Sequence, residues 1–321
     1  MSSRISRAFS ARRSVRALAA LRALLTVAAA APTAALAQGG PPPGVASGPW
    51  ILSAQGGAVH QFESGIDGGG DVSVTRWFVE PSVNYGFDRR TSIGLSLGYG
   101  ETTYDFSGGG FAAGEPWDRI RDLRISAPIR FGVTDQVSAF VLPTIRWNAE
   151  TGADLDDGRT EGVIAAGIWR VSDSLSIGPG FGVFSGLEDD VLLFPFLVID
   201  WNITDRFNLG TGGGLAATQG PGLTLTYRAR PDLTLGIGGR FENIEFALDD
   251  SGIAPNGTGR EQAFPVFATA EWRPLPTVGL SAVAGVEFGG ELRLKSAQGR
   301  TLRKADYDPA PFLGLTGSIR F

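Results

Sequence analysis

The stretch WNITDRFNLG, residues 201–210, places a polar turn between two hydrophobic flanks. The same layout recurs at FGVTDQVSAF (131–140), WRVSDSLSIG (169–178), YGFDRRTSIG (85–94) and YRARPDLTLG (227–236). The copies share a layout rather than a spacing, so they are not a tandem repeat of whole domains. Outward from each turn the chain alternates. In RFNLGTGGGLA, Phe207, Leu209, Thr211, Gly213 and Leu215 oppose Asn208, Gly210, Gly212 and Gly214. In TSIGLSLGY, Ile93, Leu95, Leu97 and Tyr99 oppose Ser92, Gly94, Ser96 and Gly98. A period of two means strands with two unlike faces.

About fourteen such segments can be counted, near residues 50–62, 72–86, 91–105, 119–133, 137–149, 160–171, 174–186, 190–203, 206–217, 222–230, 233–248, 261–273, 277–289 and 309–321; twelve is the alternative count. Short connections surround Asp88, Asp135, Asp173, Asp205 and Asp232, with a sixth at residues 274–277. Longer ones near 63–71, 106–118, 150–159, 249–260 and 290–308 fall between them, as do two tight ones at 187–190 and 219–221. Short and long connections therefore lie at opposite ends of the strands. That is the layout of an all-β transmembrane barrel: antiparallel, up-and-down, with short periplasmic turns, longer outer loops and an aromatic belt at each interface. Phe87, Phe131, Trp169, Trp201, Phe207, Tyr227, Trp272 and Phe321 fall to the lower belt, and Trp77, Tyr99, Trp147, Phe181 and Phe241 to the upper.

The beginning of the chain differs in kind. Arg4, Arg7, Arg12, Arg13 and Arg16 precede an apolar run from Ala23 to Ala31 and a small-x-small site at Ala35-Leu36-Ala37. This reads as a cleaved secretory signal over residues 1–37, with a twin-arginine version at Arg12-Arg13 as the lesser reading. A Gly/Pro-rich leader occupies 38–49, and the barrel 50–321. The chain has no cysteine, so folding outside the cytoplasm proceeds without disulfides, and its net charge of −5 with no basic tract excludes a nucleic-acid partner.

The whole mature chain resembles the outer-membrane β-barrel proteins of Gram-negative bacteria, in its T-D and S-D turns, its amphipathic strands and its ending Gly317-Ser318-Ile319-Arg320-Phe321. The resemblance implies residence in the outer membrane, contact with lipid and lipopolysaccharide, and recognition of the Phe321-terminated strand by the barrel-assembly machinery. A secreted β-sandwich or solenoid is the competing fold. It accounts for neither the alternation of turn lengths nor the terminal phenylalanine. Prolines 81, 128, 143, 179, 195 and 265 strain the barrel reading, since each lies inside an expected strand and proline cannot donate to a ladder.

With Ile319 and Phe321 set toward lipid, the opposite phase collects Arg76, Glu80, Arg124, Arg130, Arg146, Arg170, Asp200, Arg228, Arg240, Glu242, Glu271, Glu287 and Arg320 as lumen-lining residues. Charge is costly on a lipid face and tolerated in a wet lumen. Fourteen strands leave room for water, so the expected activity is porin-like, passive passage of small hydrophilic solutes through an Arg/Glu-lined lumen. The alternative is a closed barrel in which these charges pair across the lumen, acting through its outer loops. The basic stretch 290–308, with Arg293, Lys295, Arg300, Arg303 and Lys304, is expected to be a loop that folds inward or touches acidic headgroups.

An outer-membrane hydrolase is a third and weaker reading. The single histidine, His60, is followed two places on by Phe62 and preceded two places back by Ala58, matching neither the His-x-Ser of barrel phospholipases nor the Asp-x-His of omptin-type proteases. The one G-x-S-x-G match, Gly94-Leu95-Ser96-Leu97-Gly98, lies inside an alternating strand segment and not at a strand-to-helix turn, so it is no nucleophile elbow. Asp154, Asp156 and Gly158 carry only a fragment of a calcium loop, Glu188-Asp189-Asp190 and Asp249-Asp250 read as solvated acidic loops, and the Gly-rich stretches 107–114 and 210–214 lack a phosphate-binding lysine. No catalytic residue, metal or cofactor is expected.

Overall fold

A computed structural model describes residues 50–187, 191–211 and 222–321. The expected signal, the leader, residues 188–190 and most of the 210–214 glycine stretch lie outside them. Seventeen strand segments run in order: β1 (Trp50–Gly65), β2 (Asp71–Gly86), β3 (Ser92–Ser107), β4 (Arg119–Ser126), β5 (Ile129–Gly132), β6 (Val137–Glu150), β7 (Arg159–Arg170), β8 (Leu175–Ser185), β9 (Val191–Asn202), β10 (Phe207–Thr211), β11 (Gly222–Arg230), β12 (Leu233–Arg240), β13 (Glu242–Ala247), β14 (Thr258–Leu275), β15 (Val278–Lys295), β16 (Thr301–Tyr307) and β17 (Ala310–Arg320). Each of the pairs β4/β5, β12/β13 and β16/β17 is one interrupted barrel strand, so the wall has fourteen strands. Neighbours pair antiparallel in chain order, and β1 closes on β17 from Ser53↔Arg320 to Gln61↔Phe312.

The recurring turn has a side-chain cause. Thr134 Oγ1 accepts the backbone N–H of Gln136 and Val137, Ser172 Oγ those of Ser174 and Leu175, and Thr204 Oγ1 those of Arg206 and Phe207. In the fourth copy Asp88 Oδ1 does the same for Arg90 (2.6 Å) and Thr91 (2.8 Å). A short oxygen-bearing side chain closes the turn on its own backbone, and the flanking apolar residues return to the lipid boundary. Both belts face outward. Phe87, Trp169 and Phe321 are exposed at one end, joined by Trp50, and Trp77, Tyr99, Phe181 and Phe241 at the other. The ten residues from Trp77 to Phe87 correspond to a band of about 25 Å for a tilted strand.

The prolines lie where the ladder is interrupted. Pro128 separates β4 from β5, and Pro143 sits opposite that break, its carbonyl taking the Ala127 N–H at 3.0 Å. The β2–β3 ladder skips from Val79 to Ser82 across Pro81, and β7–β8 skips from Ala166↔Gly180 to Trp169↔Ile177 beside Pro179. Pro265 follows a bulge at Gln262/Phe264. On β9, residues 191–198 have no ladder partner on the β10 side among the described residues, and Pro195 lies there. Breaks, bulges and unpaired edges are the positions where a missing N–H costs least.

The barrel changes diameter along its axis. At the outer end β7 stops at Arg159, opposite Trp147, and the edge of β6 beyond it is taken by β13, with Ala247 beside Ala149 and Asn148 Nδ2 donating to the Glu245 carbonyl at 3.2 Å. The bend that allows this is at Phe241, where β12 leaves β11 and continues as β13 between β14 and β6. An outer cap thus forms from β1, β2, β3, β4, β6, β13, β14, β15 and β16, bypassing β7 to β11. Barrels of about this size are just wide enough for side chains to fill. Ile66, Val72, Val74, Tyr104, Phe111, Trp117, Ile120, Phe246, Leu292 and Leu294 pack there as one buried cluster, with the Trp117 ring edge-on to Tyr104 (5.7 Å) and Phe246 (5.2 Å).

The expected loop over 290–308 is instead a hairpin of β15 and β16. Gly289, at φ +58°, lies in an irregular stretch of β15, after which the inward phase shifts. Glu287 points in, and so do Leu292 and Leu294, while Glu291 pairs with Arg293 (2.6 Å) and Lys304 (2.9 Å) on the outside. Arg303 turns inward and donates to the carbonyls of Phe111 and Ala113, fastening the 106–118 loop, which carries a short 3₁₀ turn (Gly110–Ala112), over the core.

Candidate functional site

Strand register sets which residues face the lumen. The thirteen residues assigned inward from sequence fall at two levels of the wall with different surroundings. Directly under the cap core is a buried polar layer. Arg76 Nη2 donates to both Glu261 oxygens at 2.7 Å and its Nη1 lies 3.7 Å from Glu287. Tyr104 donates to Glu261 at 2.6 Å, and Tyr307 to Glu287 at 3.0 Å. Glu80 accepts from Arg124 at 2.6 Å and from Gln55 at 2.9 Å. Arg240 pairs with Glu242, and Arg146 with Asp122. Arg76, Glu80, Arg124, Arg146, Arg240, Glu242 and Glu287 are thereby brought together on one side of the barrel.

These charges are paired because removing an ion from water costs several kcal/mol, which a partner and further hydrogen bonds must offset. Arg76, Asp122, Arg124, Arg240, Glu242 and Glu287 line a cavity of ≈ 80 Å³ with Phe78, Val283 and Phe312. At ~10–15 Å³ per water, that is room for a few molecules.

The other six are not part of this layer. Arg130, on β5, lies over the Phe140 ring at 5.5 Å. Arg170 donates to the Asp135 carbonyl of the 131–140 turn at 2.7 Å, and Asp200 accepts from Asn208 at 2.7 Å. Glu271 pairs with Arg273 at 2.6 Å, and Arg228 and Arg320 stand near the same periplasmic mouth. They form a rim.

Five members of the polar layer were missed in sequence: Glu261, Tyr104, Asp122, Tyr307 and Gln55. Glu261 shares the phase of Glu271 on β14, so carrying the inward rule ten residues further finds it. On the inner face of β7, β8 and β9 the sequence reading named only Arg170 and Asp200. Thr160, Gly162, Ile164, Ala166 and Ile168 point inward from β7, Gly178, Gly180, Gly182 and Phe184 from β8, and Leu192, Phe194, Phe196 and Val198 from β9. The stretch VLLFPFLVI at 191–199 is apolar at both phases, and that was the available signal.

His60 faces outward just above the Trp77 belt, its Nδ1 2.9 Å from Thr75 Oγ1 and its ring edge-on to Phe62 at 5.1 Å. Asp154 caps the short 3₁₀ turn Leu155–Gly158 by accepting the Asp156 N–H at 3.0 Å. Among the described residues no cluster of three or more metal-ligating side chains occurs.

No family model matches the chain, and no curated protein matches it. Among solved structures, an outer-membrane channel from Pseudomonas putida F1 is similar over 87% of this chain and 99% of its own, at 11% identity and TM-score 0.46. A Pseudomonas aeruginosa FadL homologue is similar over 85% and 90%, at 12% identity and TM-score 0.47. The translocator domain of the autotransporter NalP from Neisseria meningitidis is similar over 97% of each chain, at 13% identity and TM-score 0.37.

Proposed function

We propose that this chain is a passive channel for small solutes in the outer membrane of a Gram-negative cell. A cleaved signal over residues 1–37 delivers it, and the Phe321-terminated strand is read by the assembly machinery. The observation that carries the reading is where the packed core stops. It fills the outer cap, whereas the fourteen-stranded region below is wider and is lined on the β7–β9 side by glycines and part-exposed side chains. Hydrophilic solutes enter from the periplasmic mouth past Arg130, Arg170, Asp200, Arg228, Glu271 and Arg320. The passage follows the β7–β11 side, away from the filled cap. Lipid contacts the outward band, and lipopolysaccharide the charged residues above it, such as Glu101 and Arg119. The reading contains no catalytic step and no cofactor.

A second reading, a closed barrel acting through its outer surface, is favoured by the filled cap and by the pairing of the inner charges. Single-channel recording of the mature chain in a planar bilayer separates the two. Discrete current steps are expected, with ion selectivity altered in Arg130→Ala and in Arg240→Ala. A silent bilayer with barrel that still shows heat-modifiable mobility supports the closed barrel and overturns the channel.

A further inference from the structure

We propose that the inner face of β8 and β9 is a binding strip for small, uncharged aromatic molecules. Barrel lumens are ordinarily polar, because inward residues meet water and outward residues meet lipid. Here the inward positions of β8 and β9 above Asp200 and Ser176 carry no ionisable side chain among the described residues. They carry Phe184, Phe194 and Phe196 instead. Phe184 and Phe194 are stacked, with centroids 6.1 Å apart and planes within 5°, and Phe196 follows at 6.2 Å.

Glycines make this paving possible. A Cβ on Gly180 would fall 2.4 Å from the Phe196 ring, and one on Gly182 would fall 2.3 Å from the Phe194 ring. The rings therefore lie over bare backbone of the neighbouring strand, as aromatic side chains do when they cover cross-strand glycines. Such a surface suits a planar apolar solute, since offset or tilted ring pairs at ~4.5–7 Å are favoured beyond the area they bury.

The strip is also continuous with the lipid side. Leu192 faces inward and is 46% exposed, while Val191 and Leu193, on the opposite face, are 71% and 65% exposed. An ionic solute finds no partner along this path. An uncharged apolar one meets similar surroundings inside the wall and outside it, so an aromatic compound partitioned in the bilayer is the occupant that fits.

The test uses the full mature barrel in lipid nanodiscs and does not require it to conduct. Trifluoromethyl phenyldiazirine is photolysed in the presence of increasing naphthalene, and labelled residues are mapped by mass spectrometry. Labels are expected on Phe194 and Phe196, competed away by naphthalene, while labels on the outward Leu193 and Leu197 decline no faster than lipid labelling does. In Phe194→Asn/Phe196→Asn, naphthalene should compete roughly tenfold less effectively at the remaining inward site, Leu192. As a second variant that leaves folding undisturbed by polar groups, Phe194→Leu/Phe196→Leu keeps the strip apolar, and there naphthalene should lose its advantage over cyclohexane as competitor. Equal competition at inward and outward residues overturns the proposal, as does an unlabelled inward face, the result expected if another stretch of this chain lies over the strip.

Discussion

The two sides of this barrel solve the same geometric problem in opposite ways. On the side built from β1 to β4 and β13 to β16, strands run far past the aromatic belt, the ring narrows and side chains fill it. On β7 to β9 the ring stays wide, and above Arg170 and Asp200 the inward residues are mostly glycines and part-exposed apolar groups. Strand number at each level decides which occurs, because diameter grows with strand number while side-chain length does not. The packed core lies on the narrow side, and the proposed passage on the wide one.

The largest effect is expected in the buried ion layer. Arg76→Met leaves Glu261 and Glu287 facing one another without their shared cation and should cost about 3–5 kcal/mol, read from the urea concentration at which heat-modifiable mobility is lost. Adding Glu261→Met should recover part of that loss. No recovery would mean that the layer acts through geometry rather than charge.

Next comes a matched pair of phenylalanines. Phe246→Ala, in the cap core, should cost about 3–5 kcal/mol, and Phe194→Ala, on the open side, about 1 kcal/mol or less. Equal losses would erase the distinction between a filled and an unfilled half.

The smallest effect belongs to the turns. Hydrogen bonds from the backbone N–H groups of Arg90 and Thr91 hold the Asp88 carboxyl below the usual carboxylate range. A carboxyl depressed in the folded state adds stability above its unfolded pKa and loses it as pH falls through the folded value. Asp88→Ala should therefore narrow the neutral-to-acid difference in thermal midpoint slightly, without altering conductance. A change in conductance would place this turn in the solute path.

The fourteen strands and their two faces were legible because WNITDRFNLG and its relatives mark five of the six short returns and the period of two survives between them. The hairpin over residues 290–308 was not legible, for a local reason. After the irregularity at Gly289 the inner phase moves to Leu292 and Leu294, while Glu291, Arg293 and Lys304 meet water outside the bilayer. Charge on an outward face looks like a loop only if every strand is assumed to end at the lipid boundary. Seven charges of the buried polar layer were named in sequence, but most of their partners were not, since Arg76 and Glu261 meet only when distant strands converge. The aromatic strip escaped because a lumen was expected to be polar.

The seam between β1 and β17 bears on how this protein comes to exist. It joins Ser53 to Arg320, so every other strand lies inside the loop it closes. Neighbouring hairpins need only local chain closure, but this pairing carries the entropy of nearly the whole chain and is the slowest kind of contact to form. Until it forms, β1 and β17 are both bare edges able to pair with any passing strand. The commitment step in biogenesis is therefore the meeting of the two ends, and a variant that weakens the seam should accumulate as an open, misassembling sheet even when each of its hairpins is sound.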